Sequence, residues 1–191
     1  MGEPVPNIEF SSFQNFLQWE AESELRHEYW NGTIQAMAGG SKAHNRIVSN
    51  IRRVLEDHFL PKGYQVFAEN VKLEVIPDRY YTYPDIMVLC GEEADEMIGR
   101  EPIILVEVLS ASTEVVDRGK KLKHYQKLPS LRYYLIVSQR EPTIEVYHRP
   151  GPLHIWQYQI MEGLEQVLPF PEDQFEIRLA NIYAYVDWQG A

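Results

Sequence analysis

Pro102–Ser110, which reads Pro-Ile-Ile-Leu-Val-Glu-Val-Leu-Ser, is the stretch that decides the fold. Both alternating faces of this run are apolar, which is typical of a strand buried on both sides of a sheet. Glu107 interrupts the run with a carboxylate. Because an unpaired carboxylate is very costly to bury, the group must be neutralised, paired or bound to a cation. Two interpretations are open: a strand-end glutamate held by a neighbouring Arg or Lys, or a metal ligand, which requires a second carboxylate nearby.

The rest of the chain alternates helical and strand patterns without repeats, which predicts one domain over 1–191 with a loose lead-in at 1–10. A first helix follows a capping-box pattern at Ser11, and a hairpin turns at Asn31-Gly32. Further predicted helices cover about 43–60 and 114–128, with a short closing helix within 175–188. The remaining predicted strands are 65–68, 71–75, 85–90, 131–137, 143–149 and 153–161, and an acidic loop is predicted at 91–101.

Composition limits the possible partners. The 191 residues hold 28 acidic and 18 basic side chains, for a formal net charge of −10. Since nucleic-acid-binding proteins usually carry a basic footprint, such a function here needs a local basic patch, metal ions or a partner. The visible basic clusters are Arg52-Arg53 and Lys120-Lys121-Lys123, and solvated helix faces are the simpler explanation for most of these side chains.

Other features predict the cellular setting. Cys90 is the only cysteine, which excludes an internal disulfide and favours a reducing, cytoplasmic environment. No apolar window is long enough to span a membrane, and residues 1–9 lack the features of a signal peptide. We therefore expect no membrane partner.

A second carboxylate stands at the start of another predicted strand. Pro84 cannot donate to a strand ladder, so it marks the beginning of that strand, and Asp85 follows it directly. One strand, a loop and a second strand separate Asp85 from Glu107, a connection that readily makes neighbours in one sheet. Carboxylates at facing positions can share a hard divalent cation, and Mg²⁺ (or Mn²⁺) suits oxygen ligands while keeping several waters.

The helix that follows Glu107 offers a cation. Asp117, Lys121 and Tyr125 are spaced i, i+4 and i+8, so they lie along one side of that helix. Lys121 could bury its aliphatic stem and bring its ammonium near Glu107. The alternative is a surface lysine in an i, i+4 pair with Asp117, worth a few tenths of a kcal/mol.

Together these residues resemble the PD-(D/E)xK nuclease pattern, with Pro84-Asp85 as its first half and Glu107-Val108-Leu109 as its second. Over about 10–185 the chain is similar to the Uma-two family of restriction-endonuclease-like proteins. The residues that carry this similarity are Val106 to Ser110, Ser112-Thr113, Asp117-Arg118-Gly119, Lys121, Tyr125, Tyr133 to Val137, Glu28-Tyr29, Asn31-Gly32, Gly40-Ser41 and His44.

The resemblance implies an α/β restriction-endonuclease-like fold, in which helices flank a mixed central sheet, and a metal-dependent phosphodiester hydrolase. It implies Asp85, Glu107 and the Val108 carbonyl as metal ligands. Leu109 occupies the usual lysine position of the motif, and Lys121 matches the helix position to which the lysine of this family has moved.

The resemblance also brings in Glu28 and His44 as supporting residues. Glu28 is either an additional carboxylate beside the metal or a plain strand residue. His44 could contact phosphate or solvent near the site, or be an ordinary histidine at a helix start. The other histidines show no zinc-ligand spacing with one another or with Cys90.

Three functional hypotheses follow. The first is a Mg²⁺-dependent endonuclease that acts on DNA, with Lys121 assisting the attack of water, and dimers are expected because a duplex offers two strands. The second is a catalytically silent protein of the same fold that serves as a binding or regulatory module, which the acidic charge and Leu109 favour. The third, a serine hydrolase using Ser110 or Ser112, lacks a Gly-x-Ser-x-Gly setting.

Overall fold

A computed structural model describes residues 10, 12–37, 39–91, 95–110, 113–151 and 155–188. The predicted lead-in at 1–9 lies outside these residues, as do Ser11, Glu92, Glu93, Ser112 and His154. Among the described residues, no helix is both long and apolar enough to cross a membrane.

The strands and helices follow one another along most of the chain. The strands are β1 (His27–Trp30), β2 (Thr33–Ala36), β3 (Gln65–Ala68), β4 (Lys72–Ile76), β5 (Tyr80–Thr82), β6 (Ile86–Leu89), β7 (Ile98–Gly99), β8 (Pro102–Val108), β9 (Tyr133–Val137), β10 (Thr143–His148), β11 (Gln157–Glu162), β12 (Val167–Phe170) and β13 (Phe175–Arg178). The helices are α1 (Phe13–Glu22), α2 (Lys42–Phe59), α3 (Glu114–Val116), α4 (Leu122–Tyr125) and α5 (Leu179–Ile182).

The largest sheet is mixed and has six strands in the order β11-β10-β9-β8-β6-β3. Strand β8 runs parallel to β9 and antiparallel to β6, so the opening apolar stretch is interior to the sheet, as its sequence predicts. A second sheet has the order β2-β1-β5-β4-β7, and β12 pairs with β13. The predicted fold class, a mixed sheet flanked by helices and preceded by a helix and a hairpin, is confirmed.

Strand β8 separates two hydrophobic clusters. Ile104, Val106 and Val108 pack on the side of α2, whose buried residues include Ile47, Ile51, Leu55 and Phe59. Leu105 and Leu109 pack on the other side with Tyr125 of α4. Since side chains alternate across a strand, Glu107 belongs to the face that α4 covers. Asp85 lies on that same face, because its near neighbours Met87 and Leu89 belong to the same cluster.

Several predicted boundaries hold. The hairpin is β1 and β2, with Asn31 and Gly32 at φ 52° and 93° in its turn. Helix α2 begins at the cap Ser41, whose hydroxyl accepts from the His44 N–H at 3.0 Å. The first helix is capped by Ser12, one residue beyond the predicted Ser11.

The predicted continuous helix over 114–128 is wrong. The structure has the short helices α3 and α4 joined by a π-helical turn at Asp117–Lys121. The Leu122 N–H donates to the Asp117 carbonyl five residues back, which is the π pattern. Gly119 lies inside this turn, and glycine weakens a regular α-helix by about 1 kcal/mol relative to alanine.

The sequence also missed four strands. Strands β5 and β7 are too short to show a period, and β12 and β13 lie near the chain end. The predicted closing helix within 175–188 is only α5, because Phe175–Arg178 pairs with β12 instead. A turn with Gln174 at φ 52° separates β12 from β13.

Candidate active site

The two predicted acids meet at one end of the β6–β8 pair. Ile86 pairs with Val106, so the next residues outward in this antiparallel ladder, Asp85 and Glu107, lie across from each other. The Val108 N–H donates to Asp85 Oδ2 at 2.6 Å. Because the N–H and C=O of one strand residue point to the same side of the strand, the Val108 carbonyl also faces the Asp85 side.

Lys121 is buried among three carboxylates. Its Nζ lies 2.9 Å from Glu28 Oε1, 3.0 Å from Glu107 Oε1 and 3.2 Å from Asp117 Oδ1. Its side chain is only 5% exposed. The interpretation of Lys121 as a surface lysine is therefore wrong, although the i, i+4 pair with Asp117 does form. Glu28 comes from β1 of the second sheet, so the site joins the two sheets.

Tyr125 completes this cluster from the next turn of the helix. Its hydroxyl donates to Glu107 Oε1 at 3.0 Å and lies 2.9 Å from the Thr82 hydroxyl. Asp117, Lys121 and Tyr125 thus all face inward, as their spacing predicts. Within the described residues, hydrogen bonds reach Glu107 through Oε1, and its second oxygen accepts none.

Negative charge exceeds positive charge in this cluster, since one ammonium faces three carboxylates. Burial raises the pKa of Glu107 well above 4.5; the Lys121 charge opposes that rise, and Asp117, Asp85 and Glu28 add to it. Burial also raises the pKa of Asp117 above 3.8. Burial tends to lower the pKa of Lys121, but the Glu107, Glu28 and Asp117 carboxylates raise it well above 10.5, which keeps the ammonium charged.

His44 contacts the other acid from the first turn of α2. Its Nε2 lies 3.2 Å from Asp85 Oδ2, and its Nδ1 is buried with no hydrogen-bond partner in the described part of the chain. Burial tends to lower the pKa of His44, but the hydrogen bond and charge of Asp85 outweigh this and raise it above 6.5. Gly40 packs against the ring so closely that a Cβ there would lie 2.8 Å from Nδ1.

These side chains line a cleft of about 450 Å³. Sequence reasoning missed several residues of its wall. Glu69 and Asn70 have left-handed backbones at φ 54° and 59°, and the Glu69 N–H donates to the Asp85 carbonyl at 3.1 Å. Asn tolerates this conformation, but no sequence signal places Glu69 there. Arg26, an exposed cation, also lines the cleft.

The donor set can be compared with what metals require. No group of three or more His, Cys, Asp or Glu side chains suited to a metal ion occurs among the described residues. Asp85 and Glu107 therefore offer two carboxylates, each with one oxygen engaged in hydrogen bonds, and the Val108 carbonyl is adjacent. Such a set does not suit zinc, but it fits Mg²⁺, which takes one or two carboxylates and keeps several waters.

The serine hypothesis gains no support from the geometry. The Ser110 hydroxyl lies 3.0 Å from the Thr113 hydroxyl, at the turn that begins α3. His44 is engaged with Asp85 rather than with Ser110. Ser112 lies outside the described residues.

Sequence comparisons identify relatives over most of the chain. The profile of the Uma2 family, described as "Putative restriction endonuclease", matches residues 13–180. The uncharacterized protein slr1290 of Synechocystis sp. is 34% identical over 166 residues, which cover 85% of this chain and 86% of that protein. A second uncharacterized protein of Synechocystis sp., sll1609, is 31% identical over 140 residues, 71% of this chain and 79% of that protein.

A structural comparison agrees with this assignment. The crystal structure of "a putative nuclease belonging to DUF820" from Anabaena variabilis superposes with a TM-score of 0.73 at 19% identity, covering 96% of this chain and 100% of that one. At this identity the similarity shows the fold alone. Because the family profile spans most of the sequence and two relatives exceed 30% identity, the chain belongs to the Uma2 family of restriction-endonuclease-like proteins.

Proposed function

We propose that this protein is a metal-dependent endonuclease that hydrolyses phosphodiester bonds of DNA. The observation that carries the proposal is the pairing of Asp85 and Glu107 across β6 and β8, in a cleft where buried carboxylates outnumber the cation that faces them. Membership of a family described as restriction endonucleases supports the same chemistry.

Asp85, Glu107 and the Val108 carbonyl would hold Mg²⁺ (or Mn²⁺). A bound divalent ion would supply Lewis-acid polarisation of a phosphoryl oxygen and would lower the pKa of water. It would also offset the surplus negative charge around Glu107, which a monovalent ammonium balances only in part.

Lys121 and its neighbours hold Glu107 in place. An ammonium has three N–H donors, and Lys121 already faces three carboxylates, so it has no spare donor for water in this arrangement. We infer that Lys121 assists the reaction by keeping Glu107 ionised and by placing a positive charge beside developing negative charge. Glu28 and Asp117 hold the ammonium, and Tyr125 fixes Glu107 Oε1.

His44 positions Asp85. Its Nε2 is used by that carboxylate, and its Nδ1 is enclosed against Gly40, so the ring offers phosphate no donor in this arrangement. We infer that His44 fixes the orientation of Asp85 Oδ2, so that the other oxygen, Oδ1, faces the cleft.

The second candidate is a catalytically silent binding or regulatory module of the same fold. The observation that favours it is the full engagement of Lys121 with carboxylates, together with Leu109 at the usual lysine position. Calorimetric titration with Mg²⁺ and Mn²⁺ separates the two candidates, because a silent module would show no binding that depends on Asp85 and Glu107.

The direct experiment measures cleavage of supercoiled and linear DNA by the purified chain with Mg²⁺ or Mn²⁺. Glu107→Gln and Asp85→Asn should abolish cleavage, whereas Glu176→Gln, a change at an exposed residue of β13, should leave it intact. Cleavage that survives Glu107→Gln would come from a contaminant and would defeat the proposal.

We further propose a homodimer, because a duplex offers two strands to be cut. Light scattering with and without DNA measures this state. A cytoplasmic setting is supported by the single cysteine, Cys90, which is exposed and has a free thiol.

A further inference from the structure

Helix α2 carries a row of cations on its exposed face. Lys42, Arg46 and Arg53 are all exposed, whereas Ile47 and Ile51 on the opposite face are buried. At about 100° per residue, the three cations lie within roughly 40° of one another, and at about 1.5 Å per residue they span roughly 16 Å along the axis. They therefore form one straight row, with the exposed polar residues Asn45 and Ser49 beside them.

The charges of this row are not compensated within the part of the chain that the structure describes. None of Lys42, Arg46 and Arg53 forms an ion pair there, whereas the adjacent Arg52 pairs with Glu56 at 2.7 Å. No acidic residue occurs in α2 between Lys42 and Arg53. In a chain with a formal net charge of −10, such a row is a local exception.

The row also begins where the cleft opens. Gly39, Gly40 and His44 line the cleft, and Lys42 lies between them and the rest of α2. A ligand that occupied both the cleft and the row would leave the paired acids and continue along α2 for about 16 Å. One strand of B-DNA carries a phosphate about every 3.4 Å along its axis, so the row could face about five phosphates.

From this arrangement we infer that the Lys42–Arg46–Arg53 row is the surface that holds the sugar-phosphate backbone of a nucleic acid leading into the cleft. The inference rests on the proposed nuclease function. It explains how a chain with excess negative charge can bind a polyanion, since the affinity would come from this row and from metal ions in the cleft.

The test measures DNA binding in a Glu107→Gln background, so that cleavage does not interfere. Lys42, Arg46 and Arg53 are changed together to Gln, and the matched control changes Lys123, Lys127 and Arg178 to Gln. The control residues are also exposed, lie elsewhere on the surface, and alter the net charge equally. Fluorescence anisotropy follows labelled mixed-sequence duplex and single-stranded DNA from about 50 to 200 mM salt.

Each lost phosphate contact lowers the slope of log K against log salt by about 0.9 for duplex and 0.7 for single strands. The row variant should therefore lose about 2.7 or 2.1 from its slope, and bind on the order of 100-fold more weakly near 0.1 M salt. The control should keep both slope and affinity. Arg53→Gln alone, at the end farthest from the cleft, should lower the slope by about 0.9.

Equal losses in the row variant and the control would show a bulk charge effect and overturn the inference. A Glu107→Gln parent that binds no DNA would also overturn it, and would leave an acidic protein as the partner for the row. The proposed function fails separately, if binding depends on the row but the unaltered chain cleaves no DNA with Mg²⁺ or Mn²⁺. Circular dichroism and the thermal midpoint should be unchanged in every variant, because all the substituted side chains of both sets are exposed.

Discussion

Replacing Lys121 by Met tests the electrostatics of the site without reference to catalysis. Met keeps most of the volume and the buried stem but removes the ammonium. Glu28, Glu107 and Asp117 would then face one another with no cation between them. Since all three carboxylates are buried, solvent cannot replace the lost interaction.

The expected loss of stability follows from the distances. At about 3 Å and an effective dielectric constant of about 20, each ammonium–carboxylate pair is worth roughly 5 kcal/mol before desolvation is counted. Removing one partner of a buried ion pair costs about 3–5 kcal/mol in net terms, because it leaves an uncompensated buried charge. We expect Lys121→Met to lower the free energy of unfolding by about that amount near pH 8.

The loss should depend on pH in a defined direction. Lys121 has a folded pKa raised above 10.5, so its contribution to stability is fully present below that value. Glu107 has a folded pKa raised above 4.5, so the folded state binds its proton more readily and stability falls as pH rises through the folded pKa. Removing the ammonium raises this pKa further, so the cost of the substitution should be largest near pH 8 and shrink toward pH 5.

Urea unfolding of the purified chain at both pH values measures this cost, with Lys123→Met as the control because Lys123 is exposed on the same helical segment. The control should change stability by less than about 0.5 kcal/mol. A loss below about 1 kcal/mol for Lys121→Met at pH 8, or an equal loss at pH 5, would refute the electrostatic reasoning.

Three other predictions concern the neighbours of the two acids. Gly40→Ala should cost about 1–3 kcal/mol in urea unfolding because its Cβ would meet His44 Nδ1 at 2.8 Å, whereas Gly39→Ala, with nothing within 4 Å, should cost nothing; equal effects would contradict the packing argument. Tyr125→Phe should cost about 1.5–3 kcal/mol by removing the hydroxyl that donates to Glu107, and a thermal midpoint that does not fall would show that this bond is not important. His44 should contribute stability that is fully present below about pH 6.5 and is lost as pH rises through its raised pKa; His44→Gln should flatten that part of the stability–pH curve, and a curve of unchanged shape would contradict the assignment.

Local patterns were sufficient to predict much of the fold. The apolar run of β8, the amphipathic stripe of α2 and the Asn31-Gly32 turn each specify their element through short-range chemistry. The predicted pairing of Asp85 with Glu107 on neighbouring strands also holds, because a short connection between strands usually joins neighbours. The single domain, the dimer, the metal and the roles of the site residues stay predictions.

Other features depended on contacts between distant parts of the chain. The π-helical turn was not predictable, because the spacing of Asp117 and Lys121 is the same in a regular helix. Glu69 enters the cleft through a left-handed backbone that its residue type does not favour. Strands β5 and β7 are too short for their periodicity to be recognised.

The sequence by itself determined which residues could form a metal site, because a carboxylate inside an apolar strand has few stable environments. Only the tertiary structure decided which charges surround that carboxylate. Glu28 reaches Lys121 from a different sheet, and burial of the whole cluster makes the ammonium a fixed partner of three acids rather than a solvated side chain. The tertiary structure also placed the exposed cations of α2 at the mouth of the cleft, because the packing of that helix sets which of its faces meets solvent.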